Sequence, residues 1–170
     1  MTGESTQKSG AWHLRDADGP LRLFITAFLL VLTVGYAIGL VFVDHTTSGT
    51  PQGLSEHFRG SPENSESLEF KYAKSANEMY IFLHNHILSL SLVFFAVGAI
   101  FYFHSMPSKV LKDILIVEPF VAILTTFGGI WLMRFVSEYF IWLVLISGIS
   151  MVACYGTMTT LILKELWLRR

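Results

Sequence analysis

Residues 114–135 read ILIVEPFVAILTTFGGIWLMRF and residues 139–163 read YFIWLVLISGISMVACYGTMTTLIL, two long apolar runs parted only by Val136, Ser137 and Glu138. At 1.5 Å per residue, a helix over either run crosses the roughly 30 Å hydrocarbon core of a bilayer. Membrane barrel strands would be short and would alternate in polarity, and these runs do neither. Ser137 and Glu138 suit a helix start, which leaves a few residues in which the chain must reverse. The two runs therefore predict a tight antiparallel hairpin of transmembrane helices.

Working outward, Met79–Phe103 and Leu23–Val43 have similar length and character. Ser75 and Glu78 form a capping-box pattern ahead of the former, and Gly19-Pro20 places a proline where a helix can open without its N–H. The run from Leu23 is expected to persist as a span: 22 residues precede it and no small-x-small cleavage pattern follows. The expected fold is all-α, an integral membrane four-helix bundle with spans near 23–43, 79–103, 114–135 and 139–163. Residues 1–19 read as a polar N-terminal segment and 20–170 as a single membrane domain. Within the extramembrane loop 44–78, residues 52–59 suit a short helix with Leu54 and Phe58 on one face. Gly35-x-x-x-Gly39, Gly128-Gly129 and the small residues Ser147, Gly148, Ser150, Ala153 and Gly156 suit close helix packing.

Composition narrows the function classes. Of 170 residues, 52% are apolar and only 15% charged, where a soluble domain carries about a quarter charged. With a mean hydropathy of +0.53, a soluble enzyme and a disordered chain are both excluded. The net charge of -1 gives no basic footprint, so no nucleic acid is expected as a partner. The single cysteine, Cys154, cannot by itself build a disulfide, a cysteine zinc site or an iron–sulfur cluster, and it reads as a small buried hydrophobe. No phosphate loop, dinucleotide fingerprint or nucleophile–base pair is present.

Basic residues set the expected orientation. Lys8, Arg15, Arg22, Lys109, Lys112, Lys164, Arg169 and Arg170 fall on one side, and Arg59, Lys71, Lys74 and Arg134 on the other. By the positive-inside rule both termini are expected in the cytoplasm, with 44–78 outside the cell membrane, in keeping with a bacterial inner membrane.

Histidines are the residues most able to carry chemistry. His84-Asn85-His86 lies in the outer part of the second span, where three polar side chains are costly without partners. His84 and His86 are about 200° apart on a helix, so they cannot ligate one ion together. His86 and His104 are 18 residues apart, five turns or about 27 Å, on one face of a continuous helix. Two histidines stacked along one membrane helix resemble the arrangement in four-helix membrane b-type cytochromes. Otherwise the chain is similar to uncharacterised bacterial four-span membrane proteins. The cytochrome resemblance implies haem b held by His86, with His45 at the outer end of the first span as its partner ligand. His84 and His104 are the further cofactor-binding histidines, and Arg134 would meet a propionate. Since the third and fourth spans contain no histidine, both axial ligands would have to come from the first two. A copper or zinc site using His86 and His45, or His45, His57 and His84 with Glu56 or Asp44, is the rival chemistry.

Two ionisable residues fall inside the third run. Glu118 precedes Pro119 and suits a proton or quinone contact; Arg134 is expected to pair with Glu138 at the outer interface. The leading expectation is thus a multi-pass membrane subunit that binds haem b and moves electrons between quinone and an outer-face redox partner. The alternative is a scaffold or assembly subunit without cofactor. Either has the lipid bilayer as its environment and other membrane or extracytoplasmic subunits as partners.

Overall fold

The computed structural model describes residues 12–62 and 70–168 and contains only helices and loops among them. Four long helices, α1 (Gly19–Thr47), α3 (Ala76–Phe101), α4 (Lys109–Phe135) and α5 (Ile141–Trp167), form the bundle, and a short α2 (Pro51–Arg59) lies at one end. All four are long and apolar enough to cross a membrane. Single 3-10 turns cover Leu14–Asp16 and Glu138–Phe140.

Side-chain caps fix the starts. The Asp18 carboxylate accepts from Leu21 N–H ahead of α1, Thr50 Oγ1 from Gly53 N–H, and Ser108 Oγ from Leu111 N–H. The capping box of Ser75 and Glu78 forms at α3. Ser137 Oγ accepts from Tyr139 N–H in the 3-10 turn that leads into α5, which gives the tight α4–α5 hairpin its reversal. Ser48, in the left-handed region at φ 54°, ends α1.

The core is centred on α4 and α5. Gly129 lets the two backbones approach: a Cβ there would lie 2.9 Å from Val144 Cγ2. Thr126 and Ser147 share a buried hydroxyl hydrogen bond of 2.7 Å across the seam. Helix α3 joins through Phe94, Val97, Gly98 and Phe101, so its buried contacts fall mostly in its second half, while the first half buries only Met79. Helix α1 buries Ile25, Leu29 and Thr47 alone. It is held by a Tyr36–Tyr155 ring stack at 4.2 Å, a Thr33–Tyr155 hydroxyl contact of 3.0 Å and a Trp167-to-Thr26 hydrogen bond of 3.0 Å. Its remaining apolar surface is outward, as expected of a helix whose neighbour is lipid.

At the α2 end, Gly53 meets the Thr47 carbonyl so closely that a Cβ would sit 1.9 Å from that oxygen. Only glycine fits this elbow. Phe58 is buried against Phe82 at 5.2 Å, as the amphipathic reading of 52–59 requires. Aromatic residues mark both ends of the bundle: Tyr80, Trp131 and Trp142 near α2, Tyr102 and Trp167 at the far end. Tyr80 and Tyr102 are about 33 Å apart along α3, close to the thickness of a hydrocarbon core.

Residues 1–11 lie outside the described residues, but Leu14 and Ala17 are buried, and Leu14 N–H donates to Phe103 O at 3.0 Å. The apolar side chains within 12–18 bring this stretch onto the α3–α4 loop.

Candidate functional site

The first half of α3 carries His84, Asn85 and His86, all exposed. They lie about 6 to 9 Å inside the Tyr80 level, within the apolar slab. His86 Nδ1 is 2.8 Å from Phe82 O, one turn back, and the ring lies against Phe82 and Phe127 at 4.1 and 5.5 Å between centroids. With Nδ1–H donated to that carbonyl, Nε2 is left as the basic nitrogen.

His45 shares the depth of His86 but not its face. Tyr36 and Phe94 meet edge-on at 6.4 Å, and both histidines lie about 12–14 Å from that contact toward the α2 end. Nine residues are two and a half turns, so His45 emerges opposite Tyr36 and away from α3. His45 is exposed there. The outer cluster of His45, His57 and His84 is not assembled: no group of three or more His, Cys, Asp or Glu placed to hold a metal ion occurs among the described residues.

His104 departs furthest from expectation. Helix α3 ends at Phe101, so the five-turn stripe with His86 is broken before it closes. His104 lies in the α3–α4 loop, 4% exposed, with its ring stacked on Phe101 at 5.1 Å. Its Nε2 donates to Glu165 Oε2 at 3.1 Å. Glu165, itself 1% exposed, also accepts from Ser105 N–H at 2.8 Å and Ser105 Oγ at 2.6 Å. Lys112 Nζ donates to His104 O at 3.0 Å. This knot ties the end of α5 to the loop between α3 and α4. Sequence reasoning missed Glu165, since a glutamate next to Lys164 near a span's end reads as solvated.

Arg134 does not pair with Glu138. Its Nε donates to Lys74 O at 2.8 Å and its guanidinium lies over the Phe135 ring at 4.8 Å, because the approach to α3 brings a free carbonyl within reach. Arg59 similarly donates to Met133 O at 2.6 Å, which anchors α2 on the last turns of α4. Burial, then the charges of Lys74 and Lys71, lower the pKa of His57 beside them. Between α2 and the start of α5 lies an open cleft of about 660 Å³, lined by Gln52, Glu56, Arg59, Tyr139 and Trp142 among others. Within the slab, Glu118 on α4 accepts from Ser150 Oγ on α5.

A family model for a transmembrane helical domain matches residues 48–170. The chain belongs to that family. The matched range takes in α2 to α5 and begins just past α1. No curated protein and no solved structure matches the chain. The protein is thus a multi-pass membrane protein with the bilayer as its surroundings.

Proposed function

We propose that the chain acts as a subunit of a larger membrane assembly, with the His84–Asn85–His86 segment of α3, whose side chains fan over about 200° of the helix, as its contact with transmembrane helices of neighbouring subunits. The observation that carries this reading is the exposure of all three polar side chains inside the apolar slab. Facing hydrocarbon they are costly, whereas a neighbouring helix with polar groups satisfies them.

Haem b is the cofactor that this contact would hold. His86 fits one axial position, because a ring fixed through Nδ1 presents Nε2 outward. His45 faces elsewhere and His104 is engaged with Glu165, so the second axial ligand in this reading comes from the neighbouring subunit. Bound haem supplies one-electron transfer, which suits passage of electrons between quinone and an outer-face partner. The scaffold reading without cofactor rests on Asn85 and His84, two polar groups with no place in haem ligation that suit interhelical hydrogen bonding.

The absorption spectrum of the protein purified with its partners tests both. A Soret band that shifts on reduction and is lost in His86→Ala supports haem. A colourless assembly that loses its partner in the combined replacement of His84, Asn85 and His86 by Ala or Leu supports the scaffold. If the chain keeps every partner after that replacement and is colourless, the assembly reading falls. Orientation is part of the proposal: reporter fusions after Asp113 and at the C-terminus should report cytoplasm, and one near Ser61 the outside. A cytoplasmic signal at Ser61 would reverse the faces assigned above.

A further inference from the structure

Glu118 is an ionisable side chain within a span that has no part in the proposed subunit contact. It lies about 14 Å into α4 from Lys109 and about 20 Å short of Trp131, so it is inside the apolar slab. Val117 and Val121 beside it are exposed toward lipid. Across the seam on α5, Ser150 Oγ donates to Glu118 Oε1, and the buried Cys154 lies one turn further along α5. Glu118 Oε2 is buried and has no hydrogen-bond partner among the described residues.

Among the described residues no cation lies within ion-pair distance of this carboxyl. The ion pairs among the described residues, Arg15–Asp16 and His104–Glu165, do not involve it, and Cys154 is the titratable group facing it from α5. An unpaired carboxylate is costly in hydrocarbon, and addition of one proton removes that cost. Pro119, next in the chain, has no N–H to give the Leu115 carbonyl, so the same turn holds a backbone acceptor without its helical donor. We propose that Glu118 is an exchangeable proton-binding site within the membrane, with Oε1 held by Ser150 and Oε2 taking the proton. One proton from water adds to the carboxylate and is later returned; no bond to carbon changes and no electron moves. The site is independent of any cofactor at His86.

Infrared spectroscopy of the full chain in lipid vesicles, titrated across neutrality in water and in heavy water, tests this. The expected result is a protonated carboxylic-acid carbonyl band that shifts in heavy water, moves in Ser150→Ala and is lost in Glu118→Gln. A wild-type spectrum without such a band overturns the proposal. A band insensitive to heavy water, or one retained in Glu118→Gln, overturns it equally. Should Glu118→Gln fail to insert, reaction of the wild type with an apolar carbodiimide decides, since that reagent attacks protonated carboxyls. Label found on Glu118 by peptide mass supports the site, and an unlabelled Glu118 overturns it.

Discussion

Helix α1 and the α4–α5 hairpin are both apolar enough to span a bilayer, yet they are built on different terms. The hairpin has a glycine where backbones meet, a buried Thr126–Ser147 bond and a carboxyl held by a serine across the seam. Helix α1 has Gly35 and Gly39 in its interior, with open space around both, and three polar or aromatic tethers. Hydrophobicity puts both in the membrane but does not pack either, because lipid solvates leucine as well as a neighbouring helix does. Close approach and interhelical hydrogen bonds make the difference. The family match begins at residue 48, past α1, and includes the whole hairpin.

The comparison breaks most readily at the Glu165 knot. Glu165→Ala leaves Ser105 N–H, Ser105 Oγ and His104 Nε2 without their acceptor in a buried place. We expect a loss of about 3 kcal/mol or more, read from reversible unfolding in detergent by circular dichroism. A loss near zero would mean that the α3–α4 loop is not held to α5 in solution.

Gly129→Val comes next, at about 1–3 kcal/mol, because the new side chain meets Val144 with no room to move. Gly35→Ala on α1 meets nothing within 4 Å and should not destabilise; a more rigid backbone favours the helix by up to about 1 kcal/mol. Equal losses in the two variants would erase the distinction between packed seam and loose helix.

Thr126→Val and Thr33→Val sharpen it further. Each removes one interhelical hydroxyl bond, to Ser147 and to Tyr155 respectively, worth about 0.6 to 2 kcal/mol in membrane proteins. Thr126 is buried and Thr33 exposed, so the first variant should lose more. The same unfolding assay ranks them, and the reverse order would place α1 tighter than its contacts indicate.

The contrast also explains what the sequence let one read. Span length, the Ser75–Glu78 box, the Ser137 reversal and the amphipathic 52–59 segment are local signals, and each has its counterpart in the structure. The site was less legible, because facing is a tertiary property. His86 and His104 share a face only on a helix that continues through both, and α3 stops at Phe101. His45 matches His86 in depth while its direction is set by Tyr36 packing on α5. Arg134 found the Lys74 carbonyl and not Glu138, since a backbone acceptor 60 residues away has no sequence signature. Glu165 gave no signal, as its partners come from a loop about 60 residues earlier in the chain.

The smallest effect belongs to the α2 end, where the chain leaves the membrane. His57 is half-buried next to Lys71 and Lys74, and burial first, then those charges, hold its pKa below the ordinary 6.5. The unfolded segment therefore binds a proton more readily than the folded one. Above 6.5 both forms are neutral and α2 keeps its full stability; as pH falls from 6.5 toward the lowered folded value, stability declines. Phe58, docked on Phe82 beside the histidine, should then open more often. Amide hydrogen exchange over Pro51–Arg59, corrected for intrinsic rates, should show protection falling on the acid side of 6.5 in the wild type and staying level in His57→Gln. Since α4 and α5 carry no histidine, their amides should not follow the same profile. Protection of α2 that rises on acidification would reverse the sign assigned to His57.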